Sequence, residues 1–238
     1  MNGKVALITG STSGIGLGIA EHLASLKCSI AFHGLGEAKA IQEVVENTQN
    51  RFGVKCQFLE GNLNAPENAH TLVEQTMQAF GRIDILINNA GIQHVAPLEN
   101  FPLDAWQMLL NINLTSPFIL MQAALAHMKS QNSGRIINIA SVHGLIASAQ
   151  KSAYVASKHG IIGLTKVAAL ETAQTPITCN AICPGWVFTP LVAKQIEDRA
   201  KASGKTFDEE KRALLLEKQP SGEFASVEQI ASLVAYLC

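Results

Sequence analysis

The chain has 238 residues, 47% of them hydrophobic and 16% charged, with a formal net charge of −1. This balance excludes a broad basic surface, so no nucleic-acid partner is expected, and the length fits one large α/β domain or two small ones. No apolar run reaches the ~18 residues of a membrane span and the polar N-terminus does not read as a signal peptide, so neither a membrane nor an export signal is expected. The five cysteines, Cys28, Cys56, Cys179, Cys183 and Cys238, form no Cys-x-x-Cys pair. Reduced core thiols in a cytoplasmic protein without a metal site are the expectation, since Cys179 and Cys183 lack a companion His or Cys cluster.

Val5–Ile8 is a short apolar run of the kind found in strands buried on both faces. It ends in Thr9-Gly-Ser-Thr-Ser-Gly-Ile-Gly16, after which Leu17, Ile19, Ala20, Leu23 and Ala24 make a helical stripe. Strand, Gly-rich turn and helix form the layout of a dinucleotide site, although the spacing is Gly-x-x-x-Gly-x-Gly and not the general Gly-x-Gly-x-x-Gly. The alternation continues with strands at 29–32, 54–59, 83–87, 135–140 and 177–182. Helices are predicted at 37–51, 67–80, 103–129 (interrupted near 113–117) and 153–173. A single-domain, Rossmann-like, doubly wound parallel sheet covering residues 1–238 is therefore expected. Its ligand site belongs at the strand ends, where Gly10–Ser13, Asn88–Gly91, Ser141–Gly144 and Pro184–Trp186 fall. Residues 190–218 read as two short charged helices, 191–202 and 207–218, forming a candidate lid.

Tyr154 and Lys158 are four residues apart, hence on one helix face. A nearby ammonium stabilises a phenolate, so this pair can serve as a general base. The apolar positions Ile161, Ile162, Leu164 and Val167 that follow predict a buried helix.

These residues together resemble the short-chain dehydrogenase/reductase family. The resemblance rests on Thr9 to Gly16, Asn88-Asn89-Ala90-Gly91, Asn113, Ser141, Tyr154-x-x-x-Lys158 and Pro184-Gly185, in family order. It implies that Tyr154 exchanges the proton with the substrate oxygen, that Lys158 lowers the Tyr154 pKa and holds the nicotinamide ribose, that Ser141 hydrogen-bonds the substrate oxygen, and that Asn113 supports a water leading toward Lys158. Cofactor contacts are implied at Gly10, Ser11, Thr12, Ser13, Gly14, Ile15 and Gly16, then at Leu35, Asn62 and Leu63. Further contacts are implied at Asn89, Ala90, Gly91, Tyr154, Lys158, Pro184, Gly185, Val187 and Thr189. A 2′-phosphate would want Arg or Lys after strand two, where this chain has His33-Gly34-Leu35-Gly36. NAD is the expected cofactor, although the usual ribose-binding Asp is missing and Asn62 stands where the family commonly has Asp.

Within the family, the chain is most similar to the branch acting on D-3-hydroxybutyrate. The similarity is carried by Gln93-His94-Val95, Ser141-Val-His143-Gly-Leu145, Lys151, Pro184-Gly-Trp186-Val187 and Gln195. It implies a carboxylate clamp of Gln93, His143, Lys151 and Gln195, with Ser141 and Tyr154 on the reacting oxygen and Trp186 walling off the methyl end. A small anion needs a charge partner and directional donors, which that set supplies. The rivals are a 3-oxoacyl thioester reductase and a non-catalytic dinucleotide-binding protein. Family members usually continue through a seventh strand, which is not found before Cys238. Strand six is therefore expected to present an exposed apolar edge, and the homotetramer the family implies is expected only with an intact C-terminal region.

Overall fold

The computed structural model describes residues 1–238, except for the side chains of Leu191, Glu217 and Lys218. Six parallel strands form one sheet: β1 (Val5–Ile8), β2 (Ser29–Phe32), β3 (Cys56–Phe58), β4 (Ile85–Asn88), β5 (Gly134–Ile139) and β6 (Ile177–Ile182), in the order β3-β2-β1-β4-β5-β6. The order reverses at β1, so the crevice between the ends of β1 and β4 is the topological switch point where such sheets bind ligands.

Strand side chains alternate between two cores. Ala6, Ile8, Ile85, Ile87 and Ile137 face a cluster completed by α1 (Gly14–Ser25) and α9 (Val227–Leu237). Leu7, Leu86 and Ile136 face the opposite cluster, completed by α3 (Glu67–Phe80), α5 (Ser116–Gln131) and α6 (Ser152–Glu171). This two-sided burial explains why the strands read as continuous apolar runs. The chain is thus a single α/β domain.

Several boundaries differ from expectation. β3 is shorter than predicted, being an outer strand paired only to β2. α2 (Ala38–Phe52) starts one residue late and ends in left-handed Gly53, φ 63°. The predicted interruption near 113–117 is not a break. α4 (Leu103–Leu110) passes through one π-helical turn, Asn111–Thr115, straight into α5. The resulting helix, Leu103–Gln131, is 29 residues long and contains an 18-residue stretch of mean hydropathy 1.4, enough by length and composition to cross a membrane, although polar residues such as Gln107, Asn111 and Asn113 interrupt any continuous apolar run. Here its apolar side chains Leu109, Leu120, Met121 and Met128 are buried in the protein. Val167 on α6 is 50% exposed, because the buried stripe runs through Ala153, Ser157, Lys158, Ile161, Thr165 and Ala168 instead.

β6 is an outer strand, but its edge is not apolar in the manner expected. Ile177, Cys179 and Ile182 are buried against β5 and α6, while Thr178 is exposed. Beyond β6, α7 (Pro190–Ser203) and α8 (Phe207–Lys218) pack on each other. Glu210 joins them by accepting from Ser203 Oγ at 2.8 Å and Arg199 Nε at 3.2 Å. All five cysteines are free thiols.

Candidate active site

The turn after β1 is built for close approach. Gly10 has φ +65°, the left-handed region that favours glycine, and a Cβ there would lie 3.0 Å from Ala90 Cα. At Gly16 a Cβ would fall 2.2 Å from the Gly10 carbonyl oxygen, so only glycine lets α1 start against the turn. The Asn88–Gly91 loop is stitched to this turn: Thr9 Oγ1 accepts from the Asn89 and Ala90 amides, both at 3.0 Å. Asn89 Nδ2 donates in return to the Thr9 and Gly10 carbonyls at 2.9 and 3.0 Å. Ser13 caps α1 without a side-chain hydrogen bond, and no acidic residue lies in the first turn. The N-terminal amides of α1 are therefore left for an anionic ligand.

A cavity of about 350 Å³ opens beside this turn. Gly10, Thr12, Ser13, Gly14, Ile15, Leu35, Asn62, Leu63, Asn89, Ala90, Gly91 and Thr189 all line it. Ser11 and Gly16 do not. Ser11 is fully buried, its hydroxyl accepting from the His33 amide at 3.0 Å, and Gly16 serves the helix packing. Asn62 spends its side-chain carbonyl on the Asn64 amide at 3.0 Å, and Leu63 puts its side chain into the core. Among the described residues no Lys or Arg lines this cavity.

A second cavity, of about 410 Å³, shares Ile15, Asn89, Gly91, Ile92 and Thr189 with the first, so the two are adjacent. Ser141, Tyr154 and Lys158 meet here with Gln93, His143, Lys151, Pro184, Gly185, Trp186, Val187 and Gln195. Ser141 caps the short helical turn Val142–Gly144, and its hydroxyl accepts the His143 amide at 3.2 Å. The His143 and Tyr154 rings meet edge to face at 5.9 Å, and Lys151 Nζ stands 5.8 Å from the Trp186 ring.

Lys158 is 5% exposed. Its Nζ donates to the Ile139 carbonyl at 2.8 Å and lies 5.7 Å from the Tyr154 ring centre. Burial pushes its pKa down from 10.5 to about 8. Burial also raises the Tyr154 pKa, while a hydrogen bond with the Ser141 side chain pulls it down. The expected lowering by Lys158 is not seen in this state: desolvation governs the phenol, Ser141 opposes it, and the ammonium is directed at Ile139. Asn113, at the centre of the π-helical turn, is buried. It lines neither cavity. Its amide brackets Ile92, accepting from the N–H and donating to the carbonyl, both at 2.9 Å, and reaches Ser157 Oγ at 3.2 Å.

Two contributors escaped sequence reasoning. Gln219, following α8, accepts the Trp186 amide through Oε1 at 3.0 Å and donates to the Glu223 carbonyl. Nothing local marks it, because its role depends on the chain returning from α8. His33 lines the first cavity, and its position as a buried imidazole ending an apolar strand was a readable signal.

The sequence matches the short chain dehydrogenase family over residues 4–200. The chain belongs to that family. Among its short-chain dehydrogenase relatives, a D-beta-hydroxybutyrate dehydrogenase of Cupriavidus necator is 52% identical, over 100% of this chain and 91% of that one. A second enzyme of that description, from Rhizobium meliloti, is 45% identical over 98% and 91%. A 3-oxoacyl-acyl-carrier-protein reductase of Aquifex aeolicus is 36% identical over 100% and 91%. The crystal structure of an NAD+-bound xylitol dehydrogenase superimposes with a TM-score of 0.88 at 31% identity, covering 99% of this chain and 92% of that one. This short-chain dehydrogenase is an oxidoreductase with two adjacent cavities at the switch point of its sheet.

Proposed function

We propose that the protein oxidises D-3-hydroxybutyrate reversibly to acetoacetate with NAD. The observation that carries this reading is the meeting of Ser141, Tyr154 and Lys158 with Gln93, His143, Lys151, Trp186 and Gln195 around one small cavity. The two D-beta-hydroxybutyrate dehydrogenase relatives support the substrate, and the NAD+-bound structural relative supports the cofactor. The uncapped α1 N-terminus fits a pyrophosphate, and a cavity without Lys or Arg fits an unphosphorylated ribose.

When bound, NAD supplies the hydride acceptor. Tyr154 takes the proton of the substrate hydroxyl in oxidation and returns it in reduction. Ser141 donates to the substrate oxygen and steadies the phenol. Lys158 supplies the positive charge and a donor toward the nicotinamide ribose. Lys151, His143, Gln93 and Gln195 hold the carboxylate, and Trp186 limits the chain beyond the reacting carbon. Asn113 acts through Ile92, fixing the loop that carries Gln93. Residues 190–218 act as a lid, since Gln195 comes from α7 and Gln219 follows α8. Exposed Leu103, Phe118, Val167 and Leu170 support a homotetramer, which light scattering tests, and the free thiols support a cytoplasmic setting.

The test is the absorbance of reduced nicotinamide with D-3-hydroxybutyrate and NAD. The L-enantiomer, the phosphorylated cofactor and a 3-oxoacyl thioester serve as parallel substrates. The expected result is a D-specific, NAD-dependent rise, reduced about 10²-fold or more in a folded Tyr154→Phe variant. Preferred turnover of the thioester with the phosphorylated cofactor would overturn the reading.

A further inference from the structure

His33 stands at the end of β2 with its ring between two loops that wall the first cavity, and it is only 3% exposed. The Gly10 amide points at Nδ1 from 3.4 Å, while Nε2 lies 2.9 Å from the Gly61 carbonyl oxygen. Its backbone is bound to the same turn: the Ser11 amide donates to the His33 carbonyl at 2.7 Å, and the His33 amide donates to Ser11 Oγ at 3.0 Å.

These partners fix the tautomer. An amide can only donate, so Nδ1 must present its lone pair to Gly10. A carbonyl can only accept, so Nε2 must carry the proton toward Gly61. Both bonds exist together only in the neutral, Nε2-protonated ring. A second proton on Nδ1 would face the Gly10 N–H, replacing attraction by repulsion at the residue whose left-handed φ sets the turn.

We infer that His33 is a positioning residue for the cofactor, a neutral imidazole that ties the Gly-rich turn to the Gly61 loop and lets go in acid. The inference rests on the reading of the first cavity as the NAD site. Burial lowers the His33 pKa, the Gly61 bond opposes this, and no charged group contributes. The groups bonded to the ring, Gly10 and Gly61, are uncharged, as are their chain neighbours Ser11, Thr12 and Asn62. Glu37 and Lys39, near the start of α2, and Glu60, before Gly61, are exposed. The ring's neutrality is thus imposed by its two partners and its burial. The tie holds above the ordinary histidine range and is lost as pH falls through the lowered folded-state value.

The test is titration of NADH by fluorescence from about pH 7.5 down to about pH 5 on the wild type, His33→Asn and His33→Gln. In the wild type the dissociation constant should rise about fivefold or more over that range. The variants should bind more weakly at neutral pH and show no comparable slope. Should the variants fail to fold, the ring nitrogens of His33 in the wild type, read by long-range proton–nitrogen correlation, decide the matter. A neutral Nε2–H tautomer that charges as NADH binding weakens supports the inference, and an Nδ1–H tautomer overturns it. Equal pH slopes in wild type and variants overturn the inference alone. Wild-type protein that binds no NADH at any pH overturns the cofactor reading on which it rests.

Discussion

Lys158 carries its charge in a place where charge is expensive. Its folded-state pKa of about 8 lies below the ordinary 10.5, so the unfolded chain holds that proton more firmly than the native one. The sign of the linkage follows: the penalty is present in full below about pH 8 and fades as pH rises from 8 toward 10.5. Replacing Lys158 by Met is therefore expected to abolish turnover while raising stability at neutral pH by about 1–3 kcal/mol, less whatever the lost bond to Ile139 contributed. Thermal melts at pH 7 and pH 10 check this, and the gain should shrink at the higher pH. A Met variant that melts lower than wild type at neutral pH would show that the ammonium stabilises the fold, against this account. On the role proposed for Lys158, catalytic chemistry and fold stability pull in opposite directions at this one nitrogen.

At the level of elements, α1 is held by what packs along its N-terminal half. Its N-terminus needs glycine for the turn, and Gly18 one turn later faces α9, where a Cβ would stand 2.0 Å from Val227 Cγ1. Gly18→Ala should cost about 1–3 kcal/mol through overpacking, despite the better helix propensity of alanine. Pairing it with Val227→Ala should recover much of that loss, and a double-mutant cycle by chemical denaturation measures the coupling. The segment after α8 is a second point of control. Trp186 is gripped on both sides of its backbone, its amide by Gln219 Oε1 at 3.0 Å and its carbonyl by the Ala225 amide at 2.9 Å. Gln219→Ala should release one side. We expect the KM for the small hydroxy acid to rise roughly tenfold, about 1.4 kcal/mol, with a smaller change in kcat and better acceptance of a longer chain. Steady-state kinetics with a four-carbon and a five-carbon acid would test it; unchanged discrimination would remove Gln219 from the specificity account.

For the whole molecule, the sheet and the placement of most site residues were legible in the sequence, and the reasons are local. Val5–Ile8 has the predicted bounds because a strand buried on two faces needs an uninterrupted apolar run, and Ile177–Ile182 because Ile177, Cys179 and Ile182 mark its buried positions. The glycines of 10–16 announce a turn because Gly10 and Gly16 leave no room for a Cβ and Gly10 and Gly14 have left-handed φ. What stayed hidden depends on partners distant in sequence. Ser11 reads as a cavity residue until His33 is seen to engage it, and the tie of the Asn113 amide to Ile92 cannot be read from position 113 alone. Val167 belongs to an apolar pattern whose exposed side only packing reveals. The same holds for the turn Asn111–Thr115, which looks like an interruption in sequence and is a widening in space. A π-helical turn is an α-helix with one residue too many. Deleting Thr115 should let Leu103–Gln131 close into an ordinary helix, with α4 and α5 keeping their faces while Asn113 loses its reach to Ile92. Such a variant should melt cooperatively and turn nothing over; retained turnover would mean that the extra residue is idle. By this account the long helix is a place where shortening the chain leaves a sound building with its workshop closed.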